Sequence, residues 1–190
     1  MAKEHLISRR DFIKVTSVIG SGFAIGFNSL FASKNEASHF SPDTFVNVLS
    51  DDTIILSVAK AEMGQGIWTS LPMLIAEEME ASWDKVKVTQ ISKDSFMGTG
   101  GSMSIKGYGW EKMRKSGAIA KYMLIEAAAL KWKVSPLECD ASKSIVIHKK
   151  SGKKATYGSL VEEASKIKIP RKVNLKNSSE FSLLGKDMLR

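Results

Sequence analysis

Twice in this chain a β-prone run leads into a glycine-rich turn and then into a run of helical apolar spacing, and that recurrence limits the folds open to it. In the first unit Thr53-Ile54-Ile55-Leu56-Ser57-Val58 reads as a buried strand. Ala61-Glu62-Met63-Gly64-Gln65-Gly66 reads as a turn, and Leu71 to Glu80 as an amphipathic helix. In the second, Val86 to Ile91 is the strand, and the stretch Gly98 to Gly109 packs five glycines ahead of a long helix. Glycine lets the backbone reach positive φ and approach a ligand closely, and a helix start offers unpaired N–H groups to an anion. Gln65, between Gly64 and Gly66, carries an amide that both donates and accepts. If both strands lie in one sheet, the two turns share an edge of the kind where α/β folds hold ligands. A Gly-x-Gly between strand and helix is also an ordinary tight connection, so the first turn alone decides nothing.

The remaining elements follow from local patterns. Phe45 to Leu49 and Thr53 to Val58 form a hairpin across Asp51-Asp52. Pro72 cannot sit deep inside a helix, so Ser70 is expected as the N-cap with Pro72 in the first turn. Trp83-Asp84-Lys85 turns the chain into the next strand. Trp110 to Trp132 is the longest helix, with Trp110, Met113, Gly117, Ala120, Leu124 and Ala127 on one stripe. That stripe is read as core packed closely against the sheet. Glu138 to Ala141, Ser144 to His148 and Ala155-Thr156 read as short strands, and Tyr157 to Lys166 as a small helix. Together these predict an α/β (α+β) domain, a small mixed sheet packed by two or three helices and preceded by a signal helix.

Ser8-Arg9-Arg10-Asp11-Phe12-Ile13-Lys14 is a twin-arginine export motif, and Val15 to Leu30 is an apolar stretch of signal length with no charged face. It is too short and glycine-rich for a firm membrane span. Phe31-Ala32 is the candidate cleavage point, but Leu30-Phe31-Ala32 matches a small-x-small site poorly, which leaves retention as an anchor open. The expected organisation is a signal over 1–32, a linker over 33–44, the α/β domain over 45–166 and an extended basic tail over 167–190. Such a chain is periplasmic.

The net charge is +8, yet residues 33–142 carry 12 basic and 14 acidic side chains, and residues 143–190 carry 12 basic and 4 acidic. The excess therefore belongs to the carboxyl-terminal quarter. Lys149-Lys150, Lys153-Lys154 and Arg171-Lys172 lack interleaved aromatics, which favours a solvated or protein-docking face over nucleic acid. Cys139 is the single cysteine, so an internal disulfide and any Cys-based cluster are excluded, and it reads as a packing residue. His5, His39 and His148 share no ligand spacing, so no metal held by protein side chains is expected.

Glu62-Met63-Gly64-Gln65-Gly66, Leu71-Pro72-Met73-Leu74-Ile75-Ala76-Glu77-Glu78 and Gly98-Thr99-Gly100-Gly101-Ser102-Met103-Ser104 resemble the molybdenum-cofactor-binding subunit of the xanthine dehydrogenase family. The resemblance is strongest to its isoquinoline 1-oxidoreductase beta-subunit type and related periplasmic aldehyde dehydrogenases, and it runs from the export motif to the last residue. It implies a molybdenum–pterin cofactor, alone or as a dinucleotide, with the metal held by the cofactor's own sulfurs. By the same resemblance Gly64, Gln65 and Gly66 lie against the pterin dithiolene, and Gly101, Ser102, Met103 and Ser104 line the cofactor from the other side. Met103 stands where the family usually has arginine or another residue.

The family's large subunit continues beyond the point equivalent to Arg190 into domains that complete the pocket and supply a catalytic glutamate. Nothing in this chain matches that glutamate, so no catalytic residue is assigned. If the isolated chain were active, its base would have to be Glu62, Glu77, Glu78 or Asp94. The resemblance thus implies the amino-terminal part of an oxidoreductase acting on aldehydes or N-heterocycles, incomplete and inactive alone. Its partners would be the remaining large-subunit domains, an iron–sulfur or cytochrome electron carrier and the twin-arginine translocase. An exported non-catalytic module holding an anionic ligand, or an inactive truncated remnant, are the alternatives.

Overall fold

The computed structural model describes residues 39–43, 45–91 and 101–186. The export motif, the apolar run and the expected signal helix lie outside the described residues, as do Asp94 and Gly98-Thr99-Gly100.

Strands β1 (His39–Asp43), β2 (Val46–Leu49) and β3 (Ile54–Val58) pair antiparallel in sequence order. The stretch read as linker thus supplies an edge strand, with Pro42 where the register shifts between Phe40 and Asp43. Edge strands and bulges are where a missing N–H is tolerated. The β2–β3 turn has Asp52 at φ 69°, and the Asp51 carboxylate accepts the Thr53 N–H at 2.9 Å. Side chains then alternate, and Val46, Val48, Ile54, Leu56 and Val58 are at most 1% exposed. Strand β4 (Val86–Gln90) joins β3 in parallel, completing a mixed sheet of order β1-β2-β3-β4. Parallel neighbours require a crossover, and α1 (Ile67–Met79) provides it.

Helix α1 starts earlier than the sequence predicts. Its N-cap is Gly66, at φ 77°, rather than Ser70, and Pro72 lies inside it. The expected local cap is replaced by a carboxylate from the preceding turn, described below. Beyond β4, α2 (Gly101–Ser104) passes through a π-helical turn (Ile105–Gly109) into α3 (Trp110–Trp132). The second glycine stretch, expected as a loop, is therefore helical from Gly101 onward. Glycine is a weak helix former, but tertiary packing overrides propensity here. The face of Gly109 where a Cβ would stand lies 3.5 Å from Leu71 Cδ2.

Along α3, Met113, Gly117, Ala120, Leu124 and Ala127 are buried as their spacing predicts. Trp110, expected in the core, is 42% exposed, and the Arg114 guanidinium lies 5.4 Å from the centre of its ring. The small residues of α3 serve a close approach to α1 rather than to the sheet. A Cβ on Gly117 would stand 2.2 Å from the Ile75 carbonyl oxygen.

Strands β5 (Cys139–Ser142), β6 (Ile145–His148) and β7 (Lys154–Thr156) form a second, antiparallel sheet of their own. Lys143 (φ 49°) and Ser144 (φ 61°) make the two-residue hairpin turn, so Ser144 belongs to the turn and not to the strand. This sheet closes the carboxyl end of α1, whose last carbonyls need donors. Ser144 N donates to Glu80 O at 2.8 Å, and Tyr157 Oη to Met79 O at 2.5 Å. Helix α4 (Val161–Ser165) follows.

From Lys166 to Lys186 the chain contains no strand or α-helix and returns over α1. Its anchor is the buried Glu77 carboxylate, which accepts N–H groups from Ser182 at 3.0 Å, Leu183 at 2.7 Å and Leu184 at 2.9 Å. Lys176 pairs with Glu77 and, at 2.8 Å, with Glu80. Glu78 accepts from Arg114 Nε at 2.7 Å and from Lys176 N at 3.0 Å. Two adjacent carboxylates, each 1% exposed, are thereby paired and hydrogen-bonded, as buried charge requires.

Candidate functional site

Because β3 and β4 run parallel in adjacent positions, the chain leaves both at the same sheet edge. The last rung is Ile91 N donating to Val58 O at 2.9 Å. The turn after β3 enters α1, and α1 in turn meets the helix start that follows β4. Phe45, Ala59, Leu71, Ile105 and Met113 line an apolar joint between them that encloses only about 20 Å³. That is room for about one water, so the joint itself cannot take a larger ligand.

The first turn is built by two side chains. Glu62 Oε1 accepts the N–H groups of Gly64 at 2.8 Å and Gly66 at 3.0 Å, and Oε2 accepts that of Trp68 at 3.0 Å. These bonds, the one from Trp68 foremost, hold the Glu62 carboxyl below its usual range against the opposing effect of desolvation. Gln65 folds over the same turn, Oε1 accepting from Met63 N at 2.6 Å and Nε2 donating to Ala61 O at 2.8 Å. Gly64 stands at φ 93° and Gly66 at φ 77°, a region where side chains are strained. Added Cβ atoms at either position would meet nothing within 4 Å.

The second segment starts at Gly101, φ 59°, again with open space beside it. Ser104 Oγ donates to Gly101 O at 2.9 Å, and Ser102 and Met103 are exposed. Met63, Trp68, Met103 and Trp110 are all exposed apolar side chains of these two segments. Of the residues singled out in the sequence, Gly64, Gln65 and Gly66 thus share one turn, while Gly101, Ser102, Met103 and Ser104 form the single turn of α2.

Of the four carboxylates considered as bases, the three among the described residues are otherwise engaged. Glu62 caps α1. Burial opposes ionisation of Glu77, yet Lys176 and the three backbone donors hold its carboxyl down to about 2. Glu78 is bound to Arg114. Glu62 and Glu77 are anions whose charge these donors stabilise, which makes both poor proton acceptors. Sequence reasoning missed the capping role of Glu62 and the whole Arg114–Lys176 ion cluster. The first has a local signal, a glutamate two residues before a Gly-x-Gly; the second joins residues 36 and 98 or more positions apart and has none.

His148 lies in β6 between Ser151 Oγ, 2.6 Å from Nδ1, and Glu138 Oε2, 3.3 Å from Nε2. Cys139 is buried, and burial pushes its thiol up. Among the described residues no three His, Cys, Asp or Glu side chains are grouped to hold a metal ion, and no helix is long and apolar enough to cross a membrane.

A mixed sheet whose parallel β3 and β4 end side by side, packed by helices, defines an α/β domain. Its family is given by comparison, since the model of the molybdopterin cofactor-binding domain matches residues 4–187. The chain belongs to that family of oxidoreductases. It is 32% identical to the beta subunit of isoquinoline 1-oxidoreductase of Brevundimonas diminuta, over 82% of this chain and 22% of that one. It is 33% identical to the membrane-bound aldehyde dehydrogenase [pyrroloquinoline-quinone] of Gluconacetobacter polyoxogenes, over 97% of this chain and 25% of that one. Among solved structures, quinoline 2-oxidoreductase from Pseudomonas putida 86 aligns with a TM-score of 0.49 at 15% identity, covering 62% of this chain and 15% of that chain. The chain therefore spans about a quarter of the length of the curated relatives it matches.

Proposed function

We propose that this chain is the amino-terminal part of a molybdopterin-dependent oxidoreductase acting on aldehydes or N-heterocycles, and that it contributes the two segments on which the cofactor rests. The reading is supported by the parallel β3–β4 pair, whose two strands end side by side ahead of the two glycine segments. That no atom of the described residues lies within 4 Å of a Cβ at Gly64, Gly66 or Gly101 supports the fit, since backbone there can lie flat against a large planar group. Gly64, Gln65 and Gly66 would hold one side of it and Gly101, Ser102, Met103 and Ser104 the other. Gln65 would exchange its bonds to Met63 and Ala61 for bonds to the ligand, its amide being able to donate and accept. Bound there, the cofactor supplies the two-electron oxidation, with water as the oxygen source.

Glu62, Glu77 and Glu78 are committed to capping and ion pairs and Asp94 lies outside the described residues; on this reading the carboxylate base is supplied by the rest of the enzyme. Electrons would leave through an iron–sulfur or cytochrome partner, and the Arg9-Arg10 motif would direct the folded protein to the periplasm by the twin-arginine route. The test is metal analysis of this chain expressed alone and together with the remaining large-subunit domains. Molybdenum and aldehyde- or heterocycle-dependent dye reduction are expected only on co-expression. Activity of the isolated chain would refute the division of labour.

A further inference from the structure

The first turn presents an apparent contradiction. A helix beginning behind two glycines is an anion site by default, because its first N–H groups are unpaired and its dipole is positive there. In α1 those groups are already taken. One carboxylate, Glu62, spans the turn and accepts from Gly64, Gly66 and Trp68, with all three bonds between 2.8 and 3.0 Å. Gln65 takes the remaining Met63 N–H and ties its amide to Ala61 O. Trp68 Nε1 adds a bond to Lys60 O at 3.3 Å, so the turn is closed on itself from Lys60 to Trp68.

We infer that Glu62 is a positioning residue that acts as the turn's internal anion, occupying the N–H groups a phosphate would use and fixing the open faces of Gly64 and Gly66 toward the ligand. The inference rests on the reading of this edge as the cofactor site. Its consequence is that the turn recognises its ligand by shape and by the Gln65 amide, not by phosphate charge; any phosphate of the cofactor is met elsewhere. Three charge-assisted bonds from one side chain also explain how two glycines at positive φ keep a single conformation, where glycine would otherwise be the loosest point of the chain.

The experiment uses the 190-residue chain and reports on the turn itself, with no molybdenum present. Amide exchange and amide chemical shifts of Gly64, Gly66 and Trp68 are followed in the parent, Glu62→Gln and Glu62→Ala while inorganic phosphate is titrated in. The parent should show protected amides that phosphate does not move. Glu62→Ala should lose roughly tenfold or more of that protection, as expected when a local hydrogen-bonded unit opens, and phosphate should then shift the same three amides. Glu62→Gln, which keeps one acceptor oxygen, should fall between. Exchange at Ile75 and Ala76 in the middle of α1 serves as the folding control, and if Glu62→Ala fails it, the Gln variant carries the comparison. The inference is overturned if Glu62→Ala leaves the three amides protected, if phosphate shifts them in the parent, or if no folded variant responds to phosphate. A turn that behaves as described in a co-expressed enzyme lacking molybdenum would sink the cofactor reading and leave this one standing.

Discussion

Gly117 of α3 faces the Ile75 carbonyl of α1 so closely that a methyl group on its Cα would lie 2.2 Å from that oxygen. The obstruction is backbone, which cannot swing aside as a flexible side chain can, and Glu78 Cβ closes the other side at 3.0 Å. Gly117→Ala should therefore destabilise the domain by about 1–3 kcal/mol or more, despite the better helix propensity of alanine. Urea denaturation of the two proteins measures it. Equal or greater stability of the variant would mean that α1 and α3 are not packed in this way.

The acid limb of the stability curve should carry the signature of Glu77. Its carboxyl is held down to about 2 in the fold from an ordinary 4.5. A group depressed on folding contributes fully above its unfolded value, and the contribution is lost as pH falls toward the folded one. The expected loss is about 3 kcal/mol between roughly pH 4.5 and pH 2. In Glu77→Gln that slope should be much reduced over the same interval. A denaturation series at fixed ionic strength, parent against variant, decides it.

Within the assembled enzyme, Gln65→Ala should weaken cofactor retention by about 1–3 kcal/mol, one or two hydrogen bonds. Gly64→Val should lose more. The space around Gly64 would admit a side chain, but its φ of 93° disfavours a β-branched residue, so the turn itself must shift. Molybdenum per polypeptide is the readout, and unchanged content in both variants would remove the cofactor role from this turn.

Export should depend on Arg9 and Arg10 together. Replacing both by lysine keeps the charge but removes the planar guanidinium fork that a receptor can read. The double variant is expected in the cytoplasm, and its normal appearance in the periplasmic fraction would refute the assignment.

Much of the architecture was legible because short-range chemistry dictates it. Alternation in Val46 to Val58, the Asp51-Asp52 turn and the stripe along α3 each specify their element within a few residues. What escaped were one local contact with a weaker signal than its rival and several features set by distant partners. The start of α1 was misplaced because Ser70 and Pro72 gave a plausible local cap, whereas the actual cap comes from Glu62, outside the helix. Trp110 looks like core on a helical wheel but stands at the exposed junction with the π-helical turn. The second glycine stretch reads as loop because no local rule shows that α1 packs against Gly109. The same holds for Glu77 and Glu78, which stand in the sequence as helix carboxylates and candidate bases, with nothing to show that Lys176, Arg114 and residues 182–184 bind them. At the candidate site, the two strands that end side by side were readable, and the hydrogen bonding that consumes the helix start was not.

The clasp on α1 also sets a timetable for synthesis. Glu77 and Glu78 are made early, but their partners at Lys176 and Ser182 to Leu184 emerge about a hundred residues later, the contacts spanning 98 to 107 positions. Until then Glu77 cannot be buried without an unpaired-charge cost, whereas Glu78 already has Arg114 to pair with, 36 positions on. A polypeptide arrested before Lys176 is therefore expected to leave the Glu77 face of α1 open to water.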